Sequence, residues 1–354
     1  MRKFFLLAAV VFAALVAGCA GSAKEIYVGV AMPTQTRQRW NQDGANLERK
    51  LNARGFKADL QYANNETDLQ IAQINKMIDE GCKVIIIGSV DGYALGDVLD
   101  KAKDKGVTII AYDRMIMNTD AVDYYATFDN LAVGIMQGEY IETKLRLKEG
   151  NGPFNLEITA GSLDDSNTLY YFEGAMEILR PYIANGQLVV KSGQTAIKQC
   201  AIPHWKEHIA EARMYEILTS YYSDDRVDVI LCPNDSTAIG AIGALKAAGY
   251  NTAEKPMPLI TGQDADRKNM RAILNGEQTM SIFKDTRNLA EQTVQMVDAV
   301  IAGKTPETND LGNYNNGVKV VPSFLLRPQF VDKDNYKELL IDSGYYNEHD
   351  LAEQ

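Results

Sequence analysis

"VIIIGSVDGYALGDVLDKAKDKGVTIIAYD", residues 84–113, decides how this chain folds. An apolar run from Val84 is followed by a polar turn containing Asp91, then by a helical pattern ending at Gly106. A second apolar run, Val107–Ala111, leads to Asp113 and Arg114. Nearly unbroken apolar runs of this length read as strands covered on both faces. Glycine just past a helix supplies the left-handed residue that ends it. Residues 229–264, VILCPNDSTAIGAIGALKAAGYNTAEKPMPLITGQD, repeat the same order, with Asn234-Asp235 in the turn and Asp264 at the end. Asp113 therefore has a counterpart, Asp264.

Outward from this repeat the alternation continues. Apolar runs stand at 26–32, 58–63, 124–128, 154–160, 187–193 and 279–283, separated by helical patterns such as 69–81. Strand–helix alternation predicts parallel sheets with helices on both faces. About ten strands would make an unusually wide single sheet, so two lobes of similar construction are expected. The fold class is α/β, with two doubly wound parallel-sheet lobes. In open sheets of this kind ligands bind beyond the carboxyl ends of the strands.

The 354 residues suffice for two lobes with real cores. The formal net charge of −11 argues against nucleic acid as a partner. At the N-terminus, Arg2 and Lys3 precede the uncharged run Phe4–Ala17, a signal-peptide pattern too short to span a membrane. It ends in Leu15-Val16-Ala17-Gly18-Cys19, which resembles a bacterial lipobox and predicts cleavage of residues 1–18 and acylation of Cys19. Acyl chains bury about 0.8 kcal/mol per CH₂, so such an anchor would hold the chain to a membrane outside the cytoplasm. Cys82, Cys200 and Cys232 remain; their spacing fits no metal motif, and a Cys200–Cys232 disulfide is left open.

Polar residues gather at the strand ends. Arg39 and Trp40 open the first helix. Asp113 and Arg114 are adjacent on extended chain, so their side chains point to opposite faces and need separate partners. Asp165 and Asn167 precede a helix, as do Asn234 and Asp235, where capping is the plain alternative. Asp264 and Lys284 each follow a strand. Taken singly each residue has a bland explanation; their shared placement at one sheet edge does not. Carboxylates accept from hydroxyls, Arg and Lys donate, and Asn does both. Trp40 and Trp205, the only tryptophans, could stack on a ring. This inventory fits a sugar. No G-x-G-x-x-G, P-loop or G-x-S-x-G pattern is present, and His204 and His208 lack a third metal ligand, so no cofactor or metal is expected. The enzymatic rival is a glycoside-processing site built from Asp113, Asp165 and Asp264. Against it, each carboxylate has a cation or amide nearby that should keep it ionised.

The motifs RW (39–40), AYDR (111–114), ATFDN (126–130), GSLDDSN (161–167), NDSTA (234–238), GQDAD (262–266), IFKD (282–285), NNGVKVVPS (315–323) and DSGYY (342–346) resemble the type I periplasmic sugar-binding proteins of ABC transporters, above all the multiple-sugar and xylose receptors. The resemblance runs over the whole chain after residue 18. It implies one pyranose held between two lobes joined by three crossovers, with closure about a hinge. Carried onto this chain, it makes Arg39, Trp40, Asp113, Arg114, Asp165, Asn167, Trp205, Asn234, Asp264 and Lys284 the ligand contacts. It places the crossovers near 127–130, 284–286 and 317–321, giving an N-terminal lobe of 19–127 plus 286–317 and a C-terminal lobe of 128–285 plus 318–354. It implies a monomer that captures a monosaccharide for ABC permease subunits, or alternatively presents it to a chemoreceptor or sensor kinase.

Overall fold

In the computed structural model, which describes residues 25–352, strand and helix alternate as the apolar runs require. The first lobe contains β1 (Tyr27–Met32), α1 (Gln38–Ala53), β2 (Lys57–Tyr62), α2 (Thr67–Asp79), β3 (Val84–Ile87), α3 (Gly96–Asp104), β4 (Thr108–Tyr112) and β5 (Tyr124–Phe128). These strands pair in parallel in the order β2-β1-β3-β4-β5. The second lobe contains α4 (Asn130–Lys144), β6 (Phe154–Ile158), α5 (Asn167–Ala184), β7 (Leu188–Val189), α6 (Glu207–Tyr221), β8 (Val229–Leu231), α7 (Asp235–Ala247), β9 (Leu259–Ile260) and α8 (Arg267–Leu274). Its parallel order is β7-β6-β8-β9. The two orders are one pattern, β2-β1-β3-β4 matched by β7-β6-β8-β9. The repeat read at 84–113 and 229–264 is thus the β3–β4 unit of one lobe and the β8–β9 unit of the other.

Side chains alternate across the first sheet as a strand period of two demands. Val28, Val30, Ile86 and Ile110 face Leu47 and Leu51 of α1, while Ile85, Ile87, Ile109 and Ala111 face α2 and α3, with no exposure. Burying one such aliphatic side chain stabilises by roughly 1.5–3 kcal/mol at most, so the continuous apolar runs are the main reason these strands sit centrally. In the second lobe α4 and α5 meet backbone to backbone. A methyl group at Gly134 would strike the Tyr171 carbonyl, and one at Gly174 the Leu131 carbonyl. This contact fixes the N-terminal end of α5, which carries part of the site.

The chain leaves the first lobe between β5 and α4. It returns after β10 (Ser281–Phe283) into α9 (Thr286–Ile301), which packs on α1 and joins it through Lys50–Glu291 (2.6 Å) and Arg54–Asp298 (2.8 Å). Two features depart from expectation. The segment 318–326 belongs to the first lobe, not the second. There β11 (Ser323–Leu326) pairs in parallel with β5, and the last crossover falls at Arg327-Pro328, before β12 (Gln329–Val331). The reason is local. The Asn316 amide is buried against the carbonyls of Ile116 and Thr119, and the Tyr314 ring packs edge-on against Tyr125, so the Asn/Gly-rich stretch is pinned rather than hinged. Second, β10 does not simply extend the parallel sheet. It borders β9, with the Ile282 N–H donating to Gly262, but its ladder partner is the antiparallel β12.

Candidate ligand-binding cleft

The two matched carboxylates are presented in the same way. Asp113 follows β4 and Asp264 follows the β9 edge. Each donates its backbone N–H to the neighbouring strand, to Ala126 and Ile282 respectively, at 2.8 Å. Each then adopts a left-handed backbone, with φ of 61° and 104°. Asp tolerates this region better than most residues, and such conformations cluster at functional sites. The turn ends strand alternation and sends both carboxylates into the gap between the lobes.

Arg39, in the first turn of α1, meets them. Its guanidinium donates to Asp43 (3.1 Å), to Asp264 (3.0 Å) and to Asp113, and so ties the first lobe to the second. Lys284, buried after β10, lies 3.3 Å from Asp264 and 3.7 Å from Asp113. Burial opposes ionisation of both aspartates, but the two cations outweigh it. Asp264 is held at about 2 and Asp113 also below the usual carboxylate range. Arg114 turns the other way, as its position beside Asp113 requires. It stands 2.9 Å from Asp165, donates to the Ser89 carbonyl at 3.0 Å, and covers the Trp40 ring at 5.2 Å. The Arg114 Nε–H is not aimed at the Asp165 carboxylate and keeps no hydrogen bond within the protein. Asp165 departs from expectation: burial outweighs the Arg114 charge and raises its carboxyl above the usual carboxylate range. Asp43 behaves likewise, pushed by burial to about 6 although Arg39 and the Tyr112 hydroxyl donate to it.

Nine of the ten residues expected from the sequence line one cavity, with about 430 Å³ of atom-free space including its mouth. These are Arg39, Trp40, Asp113, Arg114, Asp165, Trp205, Asn234, Asp264 and Lys284. Asn167 does not line it. Its amide donates to the Asp113 carbonyl at 2.7 Å and its oxygen accepts from Asn130, so it holds Asp113 from behind across the lobe boundary. For Asn234 both readings hold, since it lines the cavity and caps α7 by accepting from the Thr237 N–H. Trp205 lies against Gly161, where any added methyl would collide with the indole, and Trp205 itself has a left-handed backbone. Sequence reasoning missed Arg37, Tyr171, Ser236, Gln263 and Asp266. Arg37 donates across the boundary to the His204 carbonyl; burial and Arg114 lower it to about 10. Burial and the Asp264 charge raise Asp266 to about 7. Cys82, Cys200 and Cys232 are free and buried, which closes the disulfide question.

Seven buried side-chain polar atoms among the described residues find no hydrogen-bond partner in the protein, and four of them belong to residues that line this cavity: Arg114 Nε, Trp205 Nε1, Gln263 Oε1 and Asp266 Oδ1. Buried polar groups are normally satisfied, so orphans gathered in one place mark a recognition surface. Two are donors and two are on acceptor-bearing groups. Wider grooves on the second lobe are open, and charges lining one of them are already paired, as in Lys246–Glu277 and Lys268–Glu207.

Two similarly wound lobes, closed on a cleft of alternating charge with a tryptophan from each, define a hinged binding protein with one recognition site between its halves. The chain belongs to the periplasmic binding protein family, whose domain matches residues 28–305. It is 48% identical over 324 residues to the multiple sugar-binding periplasmic receptor ChvE of Rhizobium radiobacter, covering 92% of each chain. It is 33% identical over 337 residues to the D-xylose-binding periplasmic protein of Escherichia coli, covering 95% of this chain and 96% of that one. Among solved structures, an ABC transporter solute-binding protein from Clostridium phytofermentans with bound β-D-glucose is 52% identical. It superimposes with a TM-score of 0.89 over 92% of this chain and 100% of its own.

Proposed function

We propose that this protein is an extracytoplasmic receptor that closes on one aldopyranose, such as xylose, glucose, galactose or arabinose, and delivers it to the permease subunits of an ABC transporter. Presentation to a chemoreceptor or sensor kinase is the alternative destination. The observation that carries the reading is the set of four orphaned polar atoms on residues of a cleft also lined by Arg39, Lys284, Asp113 and Asp264. A ring bearing several hydroxyls can donate to Gln263 and Asp266 while accepting from Arg114 and the Trp205 indole. Hydrogen bonds to charged partners contribute about 1.5–3 kcal/mol each, roughly twice the neutral value. The names of the relatives, a multiple-sugar receptor and a xylose-binding protein, support the same ligand class.

Calorimetry over a panel of aldoses tests this directly: saturable one-site binding of at least one aldopyranose is expected, and heat-silent titrations across the panel would refute it. One observation favours the glycoside-processing rival, namely the separation of Asp264 at about 2 from Asp266 at about 7, two neighbouring carboxyls set apart as an acid and a base would be. Asp264 is nevertheless bound to Arg39 and Lys284. No release of nitrophenol from aryl glycosides is expected, and specific turnover would decide for the enzyme. We also propose lipid anchoring. Cys19 lies outside the described residues, so this rests on the 15–19 motif. Cys19→Ser should move the protein from the membrane to the soluble fraction.

A further inference from the structure

The C-terminal segment joins the lobes from outside the cleft. Tyr346 is buried outside the cavity, yet its hydroxyl joins both lobes. It accepts a hydrogen bond from the Gln38 amide of the first lobe at 2.5 Å and donates to the Ala265 carbonyl of the second at 3.0 Å. Gln38 immediately precedes Arg39, and Ala265 immediately follows Asp264, so one oxygen atom spans the backbones that carry the interlobe pair Arg39–Asp264. The other end of the same amide is also held from the second lobe, because Gln38 Oε1 accepts the Arg267 N–H at 3.3 Å. The Arg267 guanidinium in turn covers the Tyr346 ring at 4.8 Å. One helical turn further along α1, Gln42 accepts from the Tyr345 hydroxyl at 3.1 Å. The pair is anchored from beneath: Tyr346 packs with Leu340, Met270, Phe283 and Val331 in an apolar cluster of the second lobe.

We infer that Tyr345 and Tyr346 form a latch that grips α1 at Gln38 and Gln42 when the lobes close, setting how long a bound sugar is held. They are positioning residues, since neither lines the cavity. The inference rests on the sugar-binding reading above. Each net hydrogen bond is worth roughly a two- to tenfold change in an equilibrium constant, and Tyr346→Phe keeps the ring while removing the one bond that crosses the lobes, to Gln38; its other bond, to Ala265, lies within the second lobe.

The experiment is stopped-flow tryptophan fluorescence with D-glucose and D-xylose on wild type, Tyr346→Phe, Gln38→Ala and the double variant, with melting of the sugar-free proteins alongside. Sugar release roughly two- to tenfold faster in Tyr346→Phe is expected, with an unchanged association rate and with melting of the sugar-free form lowered only by the loss of the Ala265 bond. Gln38→Ala, placed in the other lobe, should act similarly, and the two should combine less than additively because they share one bond. Wild-type binding with wild-type release in both single variants would refute the latch alone, as would strictly additive effects. If the wild type bound no aldose, the sugar-binding reading and the latch would fall together. Release and association altered together, with a lower melting temperature in both variants, would also refute it, since the bond would then support the fold and not the closed state.

Discussion

Asp264→Asn keeps the shape of the side chain and removes one charge from a buried group of two cations and three carboxylates. Arg39 and Lys284 face Asp113 and Asp264, and Arg39 also holds Asp43, whose carboxyl at about 6 is mostly ionised at pH 7. The variant takes from both cations the carboxylate they share, and a buried charge that loses its partner is costly. The size follows from the carboxyl itself. Held at about 2 against an ordinary 3.8, it lies about 1.8 lower, and at about 1.36 kcal/mol per pH unit the ionised form gains about 2 kcal/mol from its surroundings. Because the folded value is depressed, this contribution is complete above about pH 4 and is lost as pH falls toward 2. Urea denaturation of the sugar-free proteins should therefore show the variant less stable by about 2 kcal/mol at pH 7, with the gap narrowing in acid. Carbon-detected NMR titration of wild type should place the Asp264 carboxyl well below 3.8. Calorimetry with D-glucose should show roughly a ten- to hundredfold loss of affinity, since a charged acceptor is lost and Arg39 is released from its orientation. Equal stability at pH 7, together with an Asp264 that titrates at or above 3.8, would refute the account of the cleft as a mutually ionised cluster.

Both tryptophans line the cavity, so sugar binding should shift intrinsic fluorescence, and the shift should vanish in the Trp40→Phe, Trp205→Phe double variant. Gly161→Ala drives a methyl into the Trp205 ring and to 2.5 Å from Thr168 Oγ1; a loss of about 1–3 kcal/mol in stability is expected by denaturation, with weakened sugar binding. Asp266 has the opposite sign to Asp264. Its folded value is raised to about 7, so its protonated form favours folding below about pH 4 and stability declines as pH rises through 7. Asp266→Asn should flatten that decline, and a variant whose pH profile between 4 and 8 parallels the wild type would count against the assignment.

What the sequence disclosed was whatever local pattern determines. The central strands β1, β3 and β4 are unbroken apolar runs, and their burial on both faces leaves no other place for them. Asp113 and Asp264 stood out because the same unit occurs twice. The edges were harder. β11 is SFLL and β12 is QFV, both short and partly exposed, and each is fixed by a partner far away in sequence, β5 and β10. A run of Asn and Gly read as a hinge is in fact tied down by Asn316. Within the site, Gln263 and Asp266 escaped notice because Asp264 and Ala265 both have left-handed backbones, so the alternation that normally assigns faces does not apply across them. Arg37 lies in a loop, where periodicity says nothing. Asn167 had the right type and neighbourhood, but its amide is committed to the Asp113 carbonyl.

That commitment shows how closure is braced. On one side of the cleft Asn167 of the second lobe binds the Asp113 carbonyl, with Tyr125 and Thr127 of the first lobe donating to the same oxygen. On another side Tyr346 binds Gln38. Between these braces lie the charges, and only the assembled cluster brings Arg39 to Asp264 and Lys284 to Asp113. Parting the lobes separates Arg39 from Asp264 and returns both to water, which can satisfy them. Bringing them together strips that water at a cost of several kcal/mol per ion, recovered only if every donor and acceptor is met. The protein alone leaves Arg114, Trp205, Gln263 and Asp266 each an atom short. A ligand that completes those bonds therefore stabilises the closed arrangement more than the open one, and by differential affinity alone it shifts the balance between them.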